Sequence, residues 1–327
     1  MLGVSRSGAF RPRVVRFEDL AGGRPQLRGG WMRVKLFALL SAAVLFVLAA
    51  APASATSEGH SYLALGDSVP FGFSPVRSLW PNAANFIGYP EIVAQQLNIE
   101  NVNATCPGEA TGGFLSLTGT DNSCFPFRAF FPLHVAYSVA QMDFATAYLR
   151  SHPETRLVTV TLGANDFFHL QNVCVRTYFP DFAAITACVN SGIPAMLTTM
   201  AANLNAIFAG IRSTGYTGLI VAVTYYSLSY PDTSGSDLLN GPMIAVAGAY
   251  GALIASGVEA WRATATSAGG SSCAAGLLLP AFPPVSGTCD VHPTPLGRDL
   301  LAAKVVSTIA DSCPAHSVMG CLNRNRG

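Results

Sequence analysis

Two hydrophobic periods alternate along most of this chain. Short segments at residues 62–65, 101–104, 157–162 and 219–224 are the strand candidates, and all but the N-V-N-A of 101–104 are largely apolar. Between them apolar residues recur at helical spacing. Tyr89, Ile92, Val93 and Leu97 share one face, and so do Ile193, Leu197, Met200, Leu204, Ile207 and Ile211. A third helix is predicted over about 242–264 and a last one over 295–309, with Leu296, Leu300, Val305 and Ile309 turned inward. The alternation predicts an α/β domain with a mostly parallel sheet. Two aromatic-rich segments read as long loops. Residues 114–135 carry Phe125, Phe127, Phe130 and Phe131, and residues 167–188 carry Phe167, Phe168, Tyr178, Phe179 and Phe182. Such loops either line an apolar pocket or pack as satellite cores.

One apolar run stands outside this pattern. Residues 32–55 begin with the basic M-R-V-K, continue through an apolar run from Leu36 to Ala51, and end in A-S-A. That is the make-up of a secretory signal peptide cleaved after Ala55, and the run is too short and Ala-rich for a membrane span. No stable membrane insertion is therefore expected after cleavage. Residues 1–31 are rich in Arg, Pro and Gly without apolar periodicity, and read as a disordered extension ahead of Met32, from an upstream start or a long n-region. Residues 56–327 are then the folded part, 272 residues with no linker-like break, enough for one domain with one core.

Setting the leader aside changes the charge balance. Residues 1–55 hold eight of the 19 Lys and Arg but two of the 18 Asp and Glu, so the remainder has 11 basic and 16 acidic residues and a net charge of −5. No basic face remains for nucleic acid. All eight cysteines fall in that remainder, and an even number in an exported chain favours disulfides. Their spacing suggests four local loops: Cys106–Cys124, Cys174–Cys188, Cys273–Cys289 and Cys313–Cys321. With no C-x-x-C pair and no H-E-x-x-H cluster, no metal site is expected.

The chemistry-bearing residues cluster in four blocks. Residues 63–73 read L-A-L-G-D-S-V-P-F-G-F, where a strand-like run stops at Gly66-Asp67-Ser68 and presents a serine at the end of a sheet. Residues 103–111 read N-A-T-C-P-G-E-A-T, residues 163–166 G-A-N-D and residues 290–294 D-V-H-P-T. Each block alone reads equally well as a turn. Gly, Asp and Asn serve turns for conformational reasons, and Thr294-Pro295 is a helix start for which His292 could be a bystander.

Taken in order, the four blocks resemble the SGNH (GDSL) hydrolase family over roughly residues 61–310. The resemblance implies a three-layer α/β/α fold with a mostly parallel, flavodoxin-like sheet. It implies a serine carboxylic ester hydrolase in which Ser68 is the nucleophile and His292 its base. It implies an oxyanion hole from the backbone N–H groups of Ser68 and Gly108 and the side-chain amide of Asn165, with no cofactor. A glycine at 108 suits a backbone N–H that must approach substrate closely. In one place the chain departs from the family pattern. Many members carry the triad acid three residues before the histidine, where this chain has Cys289, and the nearest acid, Asp290, is two before. A one-residue shift turns a side chain to the other face of an extended segment. Asp290 therefore orients His292 only where the loop bends, and otherwise a backbone carbonyl does so and leaves a Ser-His dyad. Phe71 and Phe73 are the expected pocket wall. The expected substrate is a small-molecule or lipid ester. The alternatives are a polysaccharide deacetylase with the same machinery and a non-catalytic secreted binding module.

Overall fold

The Y-L-A-L run forms the middle of β1 (Ser61–Gly66), all of whose residues are buried. The structure is a computed structural model describing residues 61–313 and Leu322. The predicted leader, the segment before it and Cys321 lie outside those residues. Four more strands share the sheet with β1: β2 (Glu100–Asn103), β3 (Thr155–Thr161), β4 (Leu219–Val223) and β5 (Leu253–Ala255). The order is β2-β1-β3-β4-β5 and every pairing is parallel. Helices make the crossovers that parallel strands require. α1 (Ser68–Phe71) and α2 (Tyr89–Leu97) lead to β2, while α3 (Thr111–Leu115), α4 (Cys124–Phe130) and α5 (Gln141–Ser151) lead to β3. α6 (Ala164–Tyr178) and α7 (Phe182–Ser213) lead to β4, and α8 (Ser234–Ala249) to β5. α9 (Gly257–Ser267), an antiparallel pair β6 (Leu278–Pro280) and β7 (Cys289–Pro293), and α10 (Pro295–Ser312) complete the described chain.

Strand alternation divides the core into two. Tyr62 and Ala64 of β1, with Val221 and Val223 of β4, face a cluster closed by Val93, Trp261, Leu301 and Val305 from α2, α9 and α10. Leu63, Leu65, Val158 and Val160 face the other way, onto Met142, Leu204, Ile207 and Met243 from α5, α7 and α8. The sheet is thus the middle of three layers, and burial on both faces explains why β1 and β4 read as continuous apolar runs. Two threonines of β3 would be orphaned in that first cluster. Thr159 and Thr161 instead share hydrogen bonds of 2.6 and 2.8 Å with the hydroxyls of Tyr62 and Tyr89.

Four sequence expectations are corrected here. The helix predicted over 242–264 is two helices with β5 between them, a three-residue edge strand entered after Gly251, which adopts φ +68°. The segment 167–188 is not a loop but most of α6 and the start of α7; its first helix buries only Asn165, Asp166 and Cys174, so no apolar stripe marks it. The segment 114–135 likewise contains α4. Leu296 is 49% exposed, because the inward face of α10 is made by Leu301, Ala302, Val305 and Ile309. Three of the predicted disulfides form, Cys106–Cys124, Cys174–Cys188 and Cys273–Cys289.

Candidate active site

The sheet order reverses between β1 and β3, and open α/β sheets bind ligands beyond the strand ends at such a point. Ser68 follows β1 and Asn165 follows β3, so both stand at this place. The chain must turn sharply to leave β1, and Gly66 makes the turn at φ +133°. Any Cβ there would lie 2.0 Å from the Thr161 carbonyl oxygen, so no other residue fits. Asp67 caps the short α1 by accepting from the Val69 N–H at 3.0 Å, which sets Ser68 as the first helical residue at the edge of a cavity.

His292 reaches the same spot from β7. Its Nε2 is 2.8 Å from Ser68 Oγ. Its Nδ1 is hydrogen-bonded to Asp290 Oδ1, which also accepts the His292 backbone N–H at 2.9 Å. The segment is a strand rather than a bent loop, and residues i and i+2 of a strand share a face. The two-residue spacing therefore suits the pair. Burial pushes the Asp290 carboxyl up, but the hydrogen bonds and charge of His292, with backbone bonds from His292 and Val291, outweigh it and hold it below the usual carboxylate value. Cys273–Cys289 fastens the residue before Asp290, and the hydroxyl of Tyr226, whose ring stacks on Trp261 at 3.6 Å, donates to the Val291 carbonyl between Asp290 and His292.

Gly108 adopts φ +86° and borders the same cavity. The reason for a glycine is internal rather than substrate-facing, since a Cβ would meet the Asn122 carbonyl oxygen at 2.9 Å and Cys124 N at 3.0 Å across the loop closed by Cys106–Cys124. Asp166 fixes the loop's far end by accepting from Thr111 N at 3.0 Å and Thr111 Oγ1 at 2.6 Å. Asn165 is buried, with its Nδ2 3.5 Å from Asp67 Oδ2. Burial pushes the Asp67 carboxyl up to about 6 against the opposing hydrogen bond from Tyr225. Tyr225, also accepting from the Ala164 N–H at 3.1 Å, thereby ties the Gly66–Ser68 turn to the start of α6.

Beside Gly108, Glu109 is fully buried, with Oε2 accepting from Gln141 Nε2 at 3.1 Å and Oε1 unpartnered. Gln141 is bonded in turn to the N–H and C=O of Gly66, at 2.6 and 3.0 Å. Burial, then the charge of Asp121, push the Glu109 carboxyl up from 4.5 to about 8. The folded chain holds this proton more tightly than the unfolded one, so the stabilisation is complete below about pH 4.5 and is lost as pH rises to about 8. Glu109→Gln is expected to flatten the decline of the thermal midpoint across this window, by an amount worth a few kcal/mol. Parallel midpoint-versus-pH curves for the two proteins would show that Glu109 does not titrate this way.

The cavity has a volume of about 1100 Å³ and a mainly apolar lining. Phe73, Trp80, Phe127 and Phe131 wall one part in mutual ring contact, with Phe73 also packed 4.8 Å from the His292 ring. Phe167, Phe168 and Ile193 of the α6–α7 pair, with Leu228, Leu238 and Leu239, wall the rest. Phe71 is corrected as a wall residue. It is fully buried outside the cavity, packed under Phe127 and against Phe86, because Gly72 reverses the chain and leaves only Phe73 facing inward. Sequence reasoning missed Tyr225 and Tyr226. Their signal was their place directly after a strand, at the C-terminal edge of the sheet.

No protein-family model matches the chain, and no curated protein matches it. Among solved structures it is similar to phospholipase A1 from Streptomyces albidoflavus NA297, at 19% identity over 76% of this chain and 98% of that one, with a TM-score of 0.49. It is similar to a carbohydrate acetylesterase from Sinorhizobium meliloti, at 14% identity over 78% of this chain and 100% of that one, with a TM-score of 0.41. A member of the lipolytic G-D-S-L family from Veillonella parvula DSM 2008 is 12% identical over 76% of this chain and 97% of that one, with a TM-score of 0.43. The likeness to each of these solved structures spans about three quarters of the chain.

Proposed function

We propose that the chain is an exported serine ester hydrolase acting on lipid or other apolar acyl esters through an acyl-enzyme on Ser68. The observation that carries this reading is the Ser68 Oγ to His292 Nε2 contact of 2.8 Å, with Asp290 on the other ring nitrogen, at the wall of a large apolar cavity. Ser68 Oγ attacks the ester carbonyl carbon while its proton passes to His292 Nε2. The new oxyanion is held by the N–H groups of Ser68 and Gly108 and the Asn165 amide. Collapse breaks the acyl–oxygen bond, and the leaving alcohol takes the proton back. Water then repeats the sequence on the acyl-enzyme, releasing the acid and restoring Ser68. Asp290 keeps the Nδ1 proton in place and stabilises the charged ring.

Cavity size and lining favour a substantial acyl chain over an acetyl group, and the hydroxyls of Tyr225 and Tyr226 are engaged with Asp67 and Val291 rather than free for sugar. Export is proposed on the leader pattern at 32–55 and on the three disulfides among the described residues, which suit an oxidising compartment.

The test is hydrolysis of p-nitrophenyl esters from acetate to palmitate by the chain beginning at Thr56. Turnover is expected to rise from acetate to medium and longer chains. Activity confined to acetate would overturn the lipid reading and favour acetylated carbohydrate, and no turnover by folded protein would remove the esterase.

A further inference from the structure

The Asn165 side chain has a definite polarity, and the structure contains a reason for it. An amide can present either its N–H₂ or its oxygen to an oxyanion, and only the first stabilises it. Asp67 approaches Asn165 Nδ2 at 3.5 Å and, as a carboxylate, asks for a donor there. On the opposite end, Asn165 Oδ1 accepts from Asn122 Nδ2 at 2.9 Å. Asn122 is itself polarised, because its Oδ1 accepts from Asn172 Nδ2 at 2.9 Å. Its backbone N–H donates to the Gly108 carbonyl at 3.1 Å, so one residue of the disulfide-closed loop touches both the glycine and the asparagine.

Resting on the esterase reading above, we infer that Asn122 is a positioning residue of the oxyanion hole, locking the Asn165 amide with its N–H₂ toward the reacting carbonyl. The 3.5 Å separation from Asp67 is too long for a strong hydrogen bond and does not hold the amide by itself. The Asn122 bond, at ordinary length, does. Nothing in the four sequence blocks marks Asn122, which stands 43 residues from Asn165.

The two shortest changes at this position separate positioning from scaffolding. Asn122→Asp is nearly isosteric and still accepts from Asn172, but it faces Asn165 Oδ1 with an acceptor. The Asn165 amide then turns over, putting its oxygen where the oxyanion forms. Asn122→Ala removes the constraint without imposing the wrong orientation. The expected result, measured on a p-nitrophenyl ester with thermal midpoints alongside, is a kcat fall of about 10-fold for Asn122→Ala and about 100- to 1000-fold for Asn122→Asp, with KM little changed. A merely structural asparagine would give the reverse order, the isosteric Asp being the milder change. That order, or wild-type kcat in Asn122→Asp, would overturn the inference while leaving the esterase standing. Absence of Ser68-dependent turnover in the unmodified chain would overturn both.

Discussion

Ser68→Ala is expected to lower ester hydrolysis by about 10⁴- to 10⁶-fold while leaving the folded chain intact. The hydroxyl's partner is His292 Nε2, and the helix start around it rests on the Asp67 side chain and the turn at Gly66. Alanine supplies the same backbone donor to the oxyanion hole and suits the first helical position. The change therefore removes the atom proposed to form the covalent bond and little else, costing about 1 kcal/mol or less in stability for one lost hydrogen bond. Turnover and melting of the two proteins, measured side by side, check both halves. Activity near that of the unmodified chain would place the nucleophile elsewhere and end the acyl-enzyme reading.

Asp290→Asn is the second large effect expected, a kcat fall of about 10³- to 10⁴-fold. An asparagine at 290 fits the same space, and whichever amide atom stands at the Oδ1 position meets both the His292 ring and its backbone N–H. An oxygen there keeps both bonds but leaves the charged ring without a carboxylate to stabilise it. An N–H₂ there makes Nδ1 an acceptor and moves the ring proton to Nε2, the atom proposed to receive the serine proton. KM should hold steady, since the acid lies behind the histidine. A fall of less than about tenfold would mean that another acceptor orients the ring and that the pair works as a dyad.

The parts of this molecule legible in its sequence are those whose cause is local. A buried strand in a covered parallel sheet must be apolar on both faces, so β1, β3 and β4 announce themselves. Ser68 and Asn165 stand directly after β1 and β3, but each of those turns alone reads as an ordinary turn, and only the four blocks taken in order single the two residues out. Asp290 was harder, because its reach to His292 depends on whether 289–293 is strand or bent loop, and five residues with no apolar alternation do not say. β5 has three residues and no period to detect. The members of the site that escaped notice, Tyr225, Tyr226 and Asn122, act across the fold. Tyr225 meets Asp67 over a separation of 158 residues, and such a pairing has no spacing to read. Phe71 and Phe73 looked equivalent, and only the reversal at Gly72 distinguishes the core residue from the wall.

The contact between Ser68 and His292 spans 224 positions of chain. At about 5–20 residues per second of synthesis, the serine precedes its base by roughly ten to forty-five seconds. Throughout that interval Ser68 exists without His292, because β6 and β7 follow all five strands of the central sheet. On the proposed reading, a chain interrupted anywhere before β7 would carry Ser68 without its base.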